Sequence, residues 1–136
     1  MEKLFNSISI AAGIIGGVLS YTFGVFDVVM VTLLVLMGVD YATGIIKAIY
    51  NKELSSYIGW KGLLKKVMTL CVVALSNTIE HLLGGGVAIR DIVIMFYAAN
   101  EGLSIIENAA AVITVIPEPL KEVLMQLREA RENDNN

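Results

Sequence analysis

The chain reads as an all-α integral membrane protein, and three observations carry that reading. Hydrophobic residues make up 56% of it and charged residues only 17%. Its mean hydropathy is +0.71, well above that of a soluble domain. Four apolar runs, residues 7–26, 28–46, 67–83 and 92–116, approach the length of about 20 residues that a helix needs to cross a bilayer. The positive charges are then lopsided. With the amino terminus inside and four crossings, Lys3, Lys47, Lys52, Lys61, Lys65, Lys66, Lys121, Arg128 and Arg131 fall inside, and only Arg90 outside. That bias predicts a multi-pass membrane protein with both termini cytoplasmic.

The first run, 7–26, carries no charge but is the weakest of the four. It holds Gly13, Gly16, Gly17, Ser20, Thr22 and Gly24. Three spans, with this run lying in the interface, is therefore the alternative to four. No small-x-small cleavage site stands before the next run, so an uncleaved first helix is expected. Its small residues recur four apart, as Ser9, Gly13, Gly17 and as Ala12, Gly16, Ser20, Gly24. Such strips let another helix approach closely, within the chain or between copies.

Asp27 separates the first two runs and predicts a tight hairpin. In the second run, Asp40, Thr43, Gly44 and Lys47 follow helical spacing on one face. Residues 47–66 form the long polar stretch, in which Trp60 and Lys61 are expected to anchor the helix at headgroup level. The third run carries Lys65, Thr69, Ser76 and Glu80 on one side, with Lys66 and Asn77 at its edge. Gly84-Gly85-Gly86 then reads as a turn, since three glycines do not favour a continuing helix.

The fourth run is the most informative. At 100° per residue, Tyr97, Asn100, Glu101, Ser104, Glu107 and Asn108 gather within about a third of the circumference. Carboxylates facing lipid are expensive, so this stripe must face protein or water. Counted along the helices, Glu107 lies level with Lys47, Lys65 and Lys66 and is expected to pair with one of them. Glu101 and Asp40 have no basic residue at their own depth. They are expected, with Thr43, Ser104 and Asn108, to line a water-filled hole once several copies assemble.

Pro117 and Pro119 stop the fourth helix. Leu120, Val123, Leu124 and Leu127 then repeat at helical spacing among charges, which predicts a short amphipathic cytoplasmic helix over 117–132. Residues 133–136 read as a polar, disordered tail. No nucleophile elbow or Walker loop occurs, and one histidine with one cysteine, Cys71, makes no metal site. No enzyme activity, cofactor or metal is expected. A net charge of −3 without a basic block argues against nucleic acid.

Three segments carry a family resemblance. They are Asp40-Tyr41-Ala42-Thr43-Gly44, then Ser55 to Lys66 (SSYIGWKGLLKK), then Tyr97 to Asn108 (YAANEGLSIIEN). In this order and spacing they resemble the small phage-lysis and toxin-secretion holins of Gram-positive bacteria and their phages. The likeness extends over residues 28–128. One departure is a missing glycine after Glu107-Asn108, where Ile113 and Thr114 stand. The resemblance implies a homo-oligomer that makes large, non-selective lesions in the bacterial cytoplasmic membrane. An endolysin or a secreted toxin then leaves the cell. A small ion channel, or a proton- or cation-coupled transporter subunit, is the alternative that the charged stripe alone would support.

Overall fold

In the computed structural model, five helices account for nearly the whole chain: α1 (Glu2–Phe23), α2 (Val28–Tyr50), α3 (Ser56–Leu82), α4 (Ile89–Ala110) and α5 (Glu118–Asn133). The structure describes residues 1–113 and 115–133, and in α5 the side chains up to Gln126 apart from Leu124. Of the tail expected at 133–136, Asn133 is the last residue of α5; Thr114 and residues 134–136 lie outside the described residues, as do the side chains of Leu124, Leu127, Arg128 and Arg131.

Helices α1, α2 and α3 are long and apolar enough to cross a membrane. The third of these starts eleven residues before its apolar run, at Ser56. Most of the polar stretch 47–66 is thus helix, and only residues 51–55 connect α2 to α3. Helix α4 has 22 residues, also a membrane's length, but carries Arg90, Asp91, Glu101 and Glu107. It leaves helical geometry at Ala111 and Val112, before Pro117 and without a glycine.

The local sequence explains each terminus. Asp27 caps α2 by accepting from Met30 N at 3.0 Å, and Ser55 caps α3 by accepting from Ile58 N at 3.3 Å. Helix α3 ends in a Schellman motif, with Gly84 N donating to His81 O and Gly85 N to Glu80 O. Gly84 and Gly85 adopt φ of 79° and 74°, so the triple glycine is indeed a turn. Helix α2 closes the same way, with Lys52 N donating to Ile49 O and Glu53 N to Ala48 O. There the left-handed position is held by Lys52, at φ 59°.

The core is a narrow seam. Met30, Leu33 and Met37 of α2 meet Val73 of α3 and Ile94 of α4, all buried, with Tyr97 packed at the margin. Helices α2 and α4 run parallel, with α3 antiparallel to both; α5 contacts α4. Apolar side chains such as Ile14, Val18, Val35, Ile46, Leu75 and Met95 point outward. In water that surface would aggregate; in a bilayer it is the solvated face. Helix α1 is the extreme case, with no buried residue. Its backbone runs beside α3, and only its last turn, through Phe23, reaches the core.

Candidate functional site

Two polar clusters pin the bundle at two levels. The deeper one joins α2, α3 and α4 through Lys66. Its ammonium donates to Asp40 Oδ2 at 2.7 Å and to Glu101 Oε2. All three side chains are well enclosed, at 13% exposure for Lys66 and Glu101 and 17% for Asp40. The register explains the meeting: Asp40 and Glu101 each lie twelve residues, about 18 Å, beyond the first residue of parallel helices. Counted from the 51–55 loop, Asp40 and Lys66 each lie ten residues inside their antiparallel helices, so the ammonium meets the acids at their own level.

Asn108 completes the cluster. Its Nδ2 donates to Asp40 Oδ1 at 3.1 Å and to Thr43 Oγ1 at 3.2 Å, while Thr43 Oγ1 donates back to Asp40 O at 3.0 Å. Gly44 lies against this contact, at a distance where a Cβ would stand 3.7 Å from Asn108 Nδ2, an ordinary van der Waals separation. Ser104 lies beside the cluster and, with Asp40 and Lys66, lines a cavity between α2 and α3.

The predicted residues therefore assemble in part, and two expectations are corrected. Asp40 and Glu101 do have a basic partner, Lys66. An apolar run that starts at Val67 leaves Lys66 at the membrane surface, whereas α3 begins at Ser56 and carries Lys66 well inside the helix. Glu107 is exposed and forms no ion pair among the described residues. Lys65 is exposed and Lys47 half-buried, likewise without an ion pair there. Tyr97 packs its ring edge-on to Phe96, at 5.0 Å between centroids, and Asn100 is half-buried on the same helix. Trp60 and Lys61 are exposed near the start of α3. A Cβ on Gly13, Gly16 or Gly17 would meet nothing within 4 Å, whereas Gly24, at the end of one strip, lies against Arg90 and Asn77.

The second cluster went unread in the sequence, although its charges were visible. Arg90, 6% exposed, stands where the ends of α1, α2, α3 and α4 converge. Its Nε donates to Phe23 O at 2.7 Å and its Nη2 to Val25 O at 2.6 Å. Its Nη1 donates to Asp27 Oδ2 at 3.0 Å and to Asp91 Oδ1 at 2.8 Å. Glu80 of α3 caps α4 in turn, accepting from Arg90 N at 2.8 Å. Asn77 Nδ2 donates to Tyr21 O at 3.0 Å and Thr22 O at 3.1 Å.

The last carbonyls of α1 are thus satisfied by side chains of α3 and α4, with a cation at the negative end of its dipole. The guanidinium beside Asp27, helped by Met30 N, holds that carboxyl below its ordinary range. The signal for this cluster was one arginine against three acids, Asp27, Glu80 and Asp91, all at one end of the bundle. Among the described residues, no group of three or more His, Cys, Asp or Glu is placed to hold a metal ion.

Comparison with known proteins places this arrangement. The bacteriophage holin family matches residues 17–129, which takes in both clusters and all of α2, α3 and α4. The chain belongs to the bacteriophage holin family. A probable holin of Bacillus phage phi105 is 33% identical over 97% of this chain and 89% of its own length. An uncharacterized 14.9 kDa protein from the nagH 3' region of Clostridium perfringens is 39% identical over 96% of this chain and the whole of its own. An uncharacterized protein of Listeria innocua is 39% identical over 81% of this chain and 79% of its own. No solved structure matches the chain. Family membership and three membrane-length apolar helices make this holin-family chain a membrane protein.

Proposed function

We propose that this protein accumulates in a bacterial cytoplasmic membrane, self-associates there, and opens large non-selective lesions through which an endolysin or another large protein leaves the cell. Membership of the holin family is the observation that carries this reading, and the likeness to a probable phage holin supports it. In the proposed topology α1 to α4 all cross and both termini are cytoplasmic. The nine-to-one division of positive charge supports it. Helix α4 is about 33 Å long against a hydrocarbon core of about 30 Å. Of its four charged residues, two sit in its first turn and a third is paired with Lys66.

In this reading the Asp40–Lys66–Glu101 cluster is the latch of the closed subunit. Opening turns the polar stripe of α4, with Asn100, Glu101, Ser104 and Asn108, and the Asp40–Thr43 face of α2 toward water shared by several copies. Hydration then replaces contacts that one chain must otherwise supply internally. The test is leakage from vesicles loaded with markers graded from small ions to folded proteins. Release of the folded markers is expected. Release of ions alone would favour a selective channel or transporter, and no release would leave a structural membrane protein. In cells, Glu101→Gln is expected to remain in the membrane and to shift the time of lysis.

A further inference from the structure

A cavity of about 270 Å³ lies between α2 and α3 at the end of the bundle that carries the 51–55 loop. Its origin is local. Gly44, Gly59 and Gly62 line it and contribute no side chain. Tyr41 fills only part of the gap, with its hydroxyl 3.3 Å from where a Cβ on Gly59 would stand and its ring 3.8 Å from one on Gly62. Ile45, Leu54 and Ile58 give it apolar walls.

The charge inside is unbalanced. Asp40 and Lys66 reach the base of the cavity, and Glu101 shares Lys66 from behind. Two carboxylates thus face one ammonium, leaving one formal negative charge among the described groups. Asp40 Oδ2 takes Lys66, Oδ1 takes Asn108 and Ser104 bonds the same carboxylate, yet a carboxylate offers about four acceptor sites. Capacity remains for one more donor. At the rim, Lys47 and Glu53 offset each other, so the entrance repels neither sign.

We propose that this cavity is a binding site for a compact organic ammonium ion, with its apolar body between Ile45 and Ile58 and its charged head on Asp40. A cation there offsets the excess negative charge, which a neutral molecule of the same shape does not. An anion of that shape meets the Asp40 carboxylate head-on. The ligand touches α2 and α3 beside the latch, and its binding does not depend on the protein opening lesions.

The experiment is saturation-transfer NMR on the full-length protein in neutral micelles. Three probes share one ring: cyclohexylammonium, cyclohexanol and cyclohexanecarboxylate. Saturable binding of the ammonium is expected. Cyclohexanol should need at least about tenfold higher concentration, the discrimination of one charge-assisted hydrogen bond. The carboxylate should show no saturable signal.

Gly62→Leu is the decisive variant. A Cβ at Gly62 meets only the Tyr41 ring at ordinary contact distance, so the larger side chain has room to start and projects into the cavity that Gly62 lines. It should abolish the ammonium signal. Asp40→Asn, if it folds, should level the ammonium and the alcohol. Equal binding of the two by the unaltered protein, ammonium binding that survives Gly62→Leu, or no saturable signal would each overturn the site.

Discussion

In a Lys66→Met variant, Asp40 and Glu101 lose their shared cation and face each other across the centre of the bundle. Methionine matches the lysine stem in length and flexibility, so the change is mainly electrostatic. A surface ion pair would contribute at most about 1 kcal/mol. This one is different: its members are only 13–17% exposed, and one ammonium serves two acids on two helices. Removing one partner of an enclosed pair costs about 3–5 kcal/mol, because the remaining charges are stranded. Lys66→Met is therefore expected to lower unfolding free energy by about 3–5 kcal/mol, measured as reversible unfolding in mixed micelles with increasing SDS.

The cycle with Glu101→Gln sharpens the test. If the lysine acts through the acids, the double variant should be more stable than the sum of single effects predicts, by about 0.5–3 kcal/mol. The triple variant with Asp40→Asn, which holds no stranded charge, should recover most of the loss. A cost of Lys66→Met below about 1 kcal/mol, or strictly additive effects, would refute the latch.

Other outcomes follow from the same geometry. Gly24→Ala should destabilise by at least about 1–3 kcal/mol, the cost of strained backbone: Gly24 has φ 78° and ψ −168°, and a Cβ would stand 2.5 Å from Arg90 Nε; unchanged SDS unfolding would count against the Arg90 clamp. Lys52→Gly should stabilise by up to about 1 kcal/mol, since it removes the penalty of a side chain in the left-handed region, and a loss in the same assay would contradict this. Glu107→Gln, at an exposed position, should change stability by less than about 0.5 kcal/mol, in contrast to Glu101→Gln. Asp27 has its folded value depressed by Arg90, so it stabilises the fold above its ordinary value of about 3.9 and loses that contribution as pH falls through the lower folded value. The stability difference between the unaltered protein and Asp27→Asn should accordingly stay flat from neutral pH down to about 5 and shrink only below about 4.

Much of the architecture was legible because bilayer physics acts on one-dimensional properties. Apolar length predicts a membrane-crossing helix, and Asp27 and the triple glycine predict hairpin ends. Those signals located the ends of α1, α2 and α3 nearest the hairpins. The 47–66 stretch was harder to read. Polarity does not distinguish loop from helix, and α3 begins at Ser56 because Ser55 caps it and no proline or left-handed residue interrupts it. The polar stripe of α4 was equally plain in sequence, because helical periodicity alone places Glu101, Ser104 and Asn108 on one face.

By itself, then, the sequence determined that this is a membrane protein with a charged seam, and its motifs already resembled the family to which it belongs. Only the tertiary structure decided which charges meet. Lys66 reaches Asp40 and Glu101, and Glu107 is left outside, because pairing depends on where α3 begins and on the rotation of three helices about their axes. The role of Arg90 was hidden for a related reason. Its partners are mostly backbone carbonyls at the end of α1, and a backbone carbonyl has no letter in the sequence. It becomes a ligand for an arginine only when a helix end, opened by the positive φ of Gly24, is brought against another helix.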